Sequence, residues 1–231
     1  MYIKIYIFVK NMSSKNLKHK SGEWLLKSSE DRLKNFLVPR VPSRIETYHL
    51  TFLTFLWSFL IVVCFYLGRQ DALFLFLVPL FVILQYLSDL LDGAVGRYRD
   101  TGLVKWGYYV DHFLDFIFAS SIVFGYGLIL GFSVWIFIIE FMISAFMVHT
   151  FLLVSVNQSF RISFFRLGPT EGRSIFIFVH LFFVWQGLKT VGFLFPFIAL
   201  GALVFLAIMF IINQKRLWQE DMKIKNEKNE N

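Results

Sequence analysis

The sequence predicts an all-α polytopic membrane protein, with six transmembrane helices preceded by an N-terminal amphipathic interfacial helix. Three observations predict it. Of 231 residues, 57% are apolar, 17% are charged and 30 are Phe, whereas a soluble globular domain is roughly one-quarter charged. Mean hydropathy is +0.61. The few charges gather between long uncharged stretches, whose lengths suit a hydrocarbon layer of roughly 30 Å. Disorder, a coiled coil and an ordinary cytosolic enzyme are excluded.

The elements follow in order. Met1–Asn11 is apolar with two lysines, too short to span and without a small-residue cleavage site, and both Met1 and Met12 stand as candidate starts. Glu23–Leu37 reads as an amphipathic helix on the membrane surface. Trp24, Leu25, Leu33, Phe36 and Leu37 are available to one side, and Lys27, Asp31, Arg32 and Lys34 to the other. Pro39 and Pro42 end it. Spans one and two occupy 47–68 and 72–88. Phe116–Phe160 holds one charge, Glu140, and Gly131-Phe132-Ser133 divides it into spans three and four. Ser174–Gln214 holds one charge, Lys189, beside Gly187 and Gly192, and divides into spans five and six. Only closed backbone hydrogen bonding survives in lipid, so these are helices paired as three hairpins. The chain is thus expected to divide into a cytoplasmic N-terminal segment (1–46), a six-helix transmembrane domain (47–214) and a charged, solvated cytoplasmic tail (215–231).

The net charge of +7 is explained by topology. Of the 23 Lys and Arg, ten precede span one, three follow span two, three follow span four and five follow span six, leaving Arg69 and Lys189 opposite. That is 21 against two, which places both termini in the cytoplasm. No basic stripe on a soluble fold supports a nucleic-acid partner. The single cysteine, Cys64, allows no intrachain disulfide or thiolate metal site and reads as core filler.

Five of the eight aspartates fall between residues 89 and 115. Asp89 and Asp92 are spaced i, i+3 at the end of span two, and Asp111 and Asp115 are spaced i, i+4 at the start of span three. Each spacing shares a helix face, and the short turn around Asp100-Thr101-Gly102 lets both pairs point into one cavity. A carboxylate at the bilayer centre costs about 2.5–3.5 kcal/mol on an insertion scale, less at the interface. Four together also repel one another, so bound divalent cations explain them best. All-oxygen ligation suits Mg²⁺, Mn²⁺ or Ca²⁺ rather than zinc, and two such ions would clamp a diphosphate. Gly93, Gly96 and Gly107, one turn apart from the aspartates or from one another, leave backbone open to a bulky substrate. Arg97 offers a fork for phosphate. Helix capping, or pairing of Asp89 and Asp111 with Arg97 and Arg99, would account for one or two of these residues.

This segment resembles the signature of the CDP-alcohol phosphotransferase (phosphatidyltransferase) family, D-x-x-D-G-x-x-A-R followed by G-x-x-x-D-x-x-x-D. Asp89, Asp92, Gly93, Arg97, Gly107, Asp111 and Asp115 match, and Gly96 stands where the family has Ala, which keeps the position small. The resemblance implies a transfer from a CDP-linked alcohol to a hydroxyl acceptor in phospholipid biosynthesis, with release of CMP. Asp89, Asp92, Asp111 and Asp115 would hold two divalent cations, Mg²⁺ or Mn²⁺. Gly93, Gly96, Arg97 and Gly107 would border the CDP moiety, and Asp115 would act as general base. His112, next to Asp111, is the alternative base, because the choline and ethanolamine phosphotransferase branch looks similar there. Homodimerisation is implied by the resemblance alone.

The loop after span four reads Arg161-Ile-Ser-Phe-Phe-Arg166-Leu-Gly168-Pro-Thr-Glu171-Gly-Arg173 and resembles a Gly-Pro-x-Glu-Gly segment of that same branch. Arg161, Arg166, Glu171 and Arg173 are candidates to line the acceptor pocket or to hold a lipid phosphate. Ordinary flanking charge is the competing explanation. Glu140, His149, Asn157 and His180, within or near spans, are expected to hydrogen-bond neighbouring helices. CDP-diacylglycerol with a small polar alcohol is the first substrate expectation, and CDP-choline or CDP-ethanolamine with diacylglycerol the second. A divalent-cation transporter is the competitor from another class, and it would place aspartates near the membrane midplane.

Overall fold

The computed structural model describes residues 25–157, 169–188 and 192–229, and it contains no strand among them. Among the described residues seven α-helices follow in order: α1 (Lys27–Leu37), α2 (Thr47–Leu67), α3 (Val78–Arg99), α4 (Val104–Leu130), α5 (Val134–Asn157), α6 (Pro169–Gln186) and α7 (Phe195–Asn229). Five segments are long and apolar enough to cross a membrane: Thr47–Leu67, Ala72–Arg99, Val104–Leu130, Val134–Val156 and Gly192–Glu227. The protein is an all-α polytopic membrane protein. The sequence predicts six spans, and α6 is the one outside this group. It has 18 residues, and Glu171, Arg173 and His180 lower its hydropathy. Phe183 and Val184 nevertheless bury it in the main core cluster.

α2 shows how such a helix packs. Phe52, Phe55, Leu56, Phe59 and Tyr66 are exposed on its outer side, as lipid-facing residues should be. Its inner side buries Thr51, Thr54, Ser58, Ile61, Cys64 and Phe65. Lipid tails are as apolar as Leu, so association here rests on close packing and polar contacts rather than on water exclusion. The small inner residues permit that approach, and Trp57 Nε1 donates to Ser88 Oγ of α3 at 3.2 Å. A Cβ on Gly125 of α4 would stand 2.1 Å from Phe65 Cδ2, so only glycine lets α4 meet this ring. Cys64 is buried core filler, as predicted.

The expected turns are present. α4 ends at Leu130 and α5 begins at Val134, with Gly131 between them at φ 86°, a conformation that favours glycine. Asp100 ends α3, its amide donating to Gly96 O, and α4 begins at Val104. Between α2 and α3 the Asp71 side chain accepts from Leu73 N at 2.9 Å and starts a 3₁₀ turn, Ala72–Leu77.

Two ends differ from expectation in extent. α1 starts at Lys27. Glu23, Trp24, Met1–Asn11 and Met12 lie outside the described residues. Leu25 and Phe36 are exposed, while Lys34 pairs with Glu30 at 2.5 Å and Asp31 at 3.5 Å. α7 has 35 residues, about 52 Å at 1.5 Å per residue, so it continues well beyond a hydrocarbon layer of about 30 Å. After Gln214 the described chain is helical and largely exposed, with Arg216, Leu217 and Met222 half-buried.

Three of the four polar residues expected to bond neighbouring helices do so among the described residues. Glu140 Oε1 accepts from Ser120 Oγ at 2.6 Å across α4 and α5. His149 Nε2 lies 3.4 Å from Asn213 Nδ2 of α7. His180, fully buried, sits 2.7 Å from Tyr126 Oη through Nδ1 and 3.0 Å from Leu75 O through Nε2. Tyr126 thus donates to Nδ1 while Nε2–H donates to the carbonyl, which fixes one tautomer and locks the 3₁₀ turn to α6. The side chain of Asn157 and all of Lys189 lie outside the described residues.

Candidate active site

α3 and α4 run antiparallel from a four-residue connection, 100–103, which brings their aspartates to one level. Ligand oxygens of Asp89, Asp111 and Asp115 all lie within 4.8 Å of one another. Like charges at that separation repel by about 3 kcal/mol per pair at an effective dielectric of about 20. Arg173, from the second turn of α6, offsets part of this. Its Nη2 donates to Asp89 Oδ2 at 2.7 Å and lies 3.8 Å from Asp115 Oδ1. One guanidinium against three carboxylates leaves a net local charge of −2. The oxygen-only donor set and that surplus fit a hard divalent cation, so the three residues could hold a metal ion.

Asp92 is not part of this three-carboxylate group. It lies toward α2, where its Oδ2 accepts from Thr51 Oγ1 at 2.9 Å. Asp115 Oδ1 accepts from Nε2 of the fully buried Gln85 at 3.2 Å. Neither Thr51 nor Gln85 carries a motif signal. The one clue to Gln85 is that it is the sole amide of its apolar run and stands one turn before Asp89.

The glycines separate by what surrounds them. A Cβ on Gly107 would meet nothing within 4 Å, so the backbone beside Asp111 faces open space. A Cβ on Gly93 would lie 3.2 Å from the exposed Arg97 guanidinium, which therefore extends over this glycine. Gly96 is buried, and a Cβ there would stand 3.0 Å from Gly102 Cα and 3.1 Å from Thr47 Cγ2. The glycine at the family's Ala position thus accompanies a close approach of the α3–α4 connection to α3. Arg99 takes no part in the cluster. Its Nη1 donates to Ile45 O at 2.7 Å, and its Nη2 donates to Val41 O at 2.7 Å and Pro42 O at 3.1 Å.

His112 faces another way. Its Nδ1 lies 3.6 Å from Asp111 Oδ2, but its ring packs on Tyr108 and on Phe151 of α5, at centroid distances of 4.3 and 5.5 Å. It lines an apolar groove of about 500 Å³ between α4 and α5. Replacing His112 with Gln is expected to lower any metal-dependent activity of the site by less than about tenfold, below the 10²–10⁴-fold of a lost general base, as initial rates would measure.

Of the four candidates that follow span four, Arg173 reaches the aspartates. Glu171 is buried at 6% exposure, and its Oε1 accepts from Leu26 N at 2.7 Å. Thr170 Oγ1 donates to Glu30 Oε2 at 2.7 Å, which ties the start of α6 to α1. Arg161 and Arg166 lie outside the described residues. The Arg173 guanidinium also sits 5.5 Å from the Tyr86 ring centroid, within cation–π range.

No curated protein and no solved structure matches the chain. A family model described as CDP-alcohol phosphatidyltransferase matches residues 48–214, well over half of the sequence and including every aspartate of the site. The chain belongs to the CDP-alcohol phosphatidyltransferase family, whose members move phospho-alcohol groups in phospholipid synthesis.

Proposed function

We propose that the protein transfers the phosphatidyl group of CDP-diacylglycerol to the hydroxyl of a small polar alcohol and releases CMP. The observation that carries this reading is the convergence of Asp89, Asp111 and Asp115 within 4.8 Å, faced by Arg173. Asp89, Asp111 and Asp115 would hold divalent cation, Mg²⁺ or Mn²⁺, with Asp92 as the fourth ligand of a two-ion site. Bound cation would neutralise the donor's diphosphate and the charge that develops as it is cleaved.

The residues of the chain supply the rest. Gly93, Arg97 and Gly107 border the CDP moiety, with open backbone at Gly107 and the Arg97 fork over Gly93, while the buried Gly96 seats the α3–α4 connection behind them. Asp115 takes the proton of the acceptor hydroxyl. The acceptor oxygen then forms a bond to the β-phosphorus, the bond from that phosphorus to the bridging oxygen breaks, and the electron pair leaves with CMP. Gln85 orients Asp115 from the bundle interior, so its carboxylate is held by a neutral amide donor. Arg173, with Arg161 and Arg166, would meet phosphate of the donor or acceptor. α6 completes the bundle as the sixth span, and the positive-inside count places both termini and the site in the cytoplasm.

The test is to supply the purified protein with labelled CDP-diacylglycerol, CDP-choline or CDP-ethanolamine, each with and without candidate acceptors. Mg²⁺-dependent CMP release from CDP-diacylglycerol is the expected result. Release only from CDP-choline or CDP-ethanolamine with diacylglycerol would assign the other branch. Release from none of them, with Mn²⁺ uptake into proteoliposomes, would favour a transporter.

A further inference from the structure

Arg173 does more than flank the carboxylates. Its Nη2 is at hydrogen-bond distance from Asp89 and within ion-pair reach of Asp115, and its side chain is only 19% exposed. A divalent cation bound by these residues needs carboxylate oxygens at about 2.0–2.6 Å. It would therefore compete for the charge that now holds the guanidinium, and two cations this close repel. A guanidinium has no neutral form to adopt in a protein, so it must move. The guanidinium already lies 5.5 Å from the Tyr86 ring centroid, a cation–π contact it can keep when the carboxylate contacts open.

We propose that Arg173 is a resident counter-ion of the metal-free site, displaced from Asp89 and Asp115 when divalent cation binds, so that its freed fork faces the anionic donor. The ion pair keeps three clustered carboxylates compatible with a folded bundle before the ion arrives. Exchange of one cation for another then couples metal loading to exposure of a phosphate ligand. The proposal rests on the metal-binding role given to the three aspartates.

The experiment uses the full chain in detergent micelles and labels arginines with phenylglyoxal, reading modification of Arg173 by peptide mass spectrometry. Bound Mn²⁺ is measured by electron paramagnetic resonance on the same samples. Saturating Mn²⁺ is expected to raise Arg173 labelling at least about fivefold, the accessibility gained when a charge-assisted pair opens. Asp89→Asn should reach that level without metal. Arg173→Gln should bind Mn²⁺ at least about fivefold more tightly, because a competing positive charge is gone. Labelling that stays flat or falls while Mn²⁺ is bound overturns the exchange, as does Asp89→Asn labelling at the wild-type metal-free level. Weaker or unchanged Mn²⁺ binding in Arg173→Gln does the same. Absence of bound Mn²⁺ in the wild-type protein would overturn the metal-binding role itself, and the exchange with it. The wild-type footprint needs no variant, so a poorly folded substitution leaves the test intact.

Discussion

Asp115→Asn is expected to lower CMP release at saturating Mn²⁺ by about 10²–10⁴-fold, the range of a lost general base, while Mn²⁺ binding weakens no more than in Asp111→Asn and part of its CDP-alcohol affinity remains. Asparagine keeps the shape of the side chain, and its Oδ1 still accepts from Gln85 Nε2, as Asp115 Oδ1 does at 3.2 Å. On the proposed role, what is lost is the carboxylate oxygen that takes the acceptor's proton. Single-turnover CMP release measured together with Mn²⁺ binding separates the two roles. Equal losses of binding and turnover would make Asp115 chiefly a ligand. Raising Mn²⁺ should not rescue this variant.

Asp111→Asn is expected to behave differently. Affinity for a hard cation follows the number of charged oxygens that surround it. Removing one of three carboxylates within 4.8 Å should weaken Mn²⁺ binding by about 100-fold, a loss of close to 3 kcal/mol. Turnover should fall in parallel and recover as Mn²⁺ is raised. A Mn²⁺ titration of CMP release compares the two variants directly, with rescue for Asp111→Asn and none for Asp115→Asn. Failure of rescue in both would give Asp111 a role beyond ligation.

Most of the bundle was legible because lipid narrows the choices. A charge is expensive there, so the few present mark boundaries, and the sequence placed α2, the α4–α5 turn at Gly131 and the Asp100–Gly102 connection correctly. The aspartates stood out for the same reason. What the sequence did not show is which carboxylates meet which partner. Arg173 and Asp89 are 84 positions apart, and their pairing depends on how α6 leans on α3, which no local spacing encodes. Asp92 is three residues from Asp89 on one helix, and only the position of α2 decides that its Oδ2 accepts a hydrogen bond from Thr51. Gln85 was hidden because a lone amide in an apolar run looks like any interhelical hydrogen bond. The helical continuation of α7 was masked by its charge, although Lys, Glu, Gln and Leu without Gly or Pro favour helix.

The family match begins at residue 48, yet the site is braced from before that point. Arg99 grips the carbonyls of Val41, Pro42 and Ile45, and Leu26 and Glu30 bond Glu171 and Thr170. The stretch from Leu26 to Ile45 therefore works as a strap, fastened at one end to the helix that carries Asp89 and at the other to the helix that carries Arg173. A truncation designed on the boundary of the family match would keep every signature residue and still unbuckle the two helices that face each other across the site.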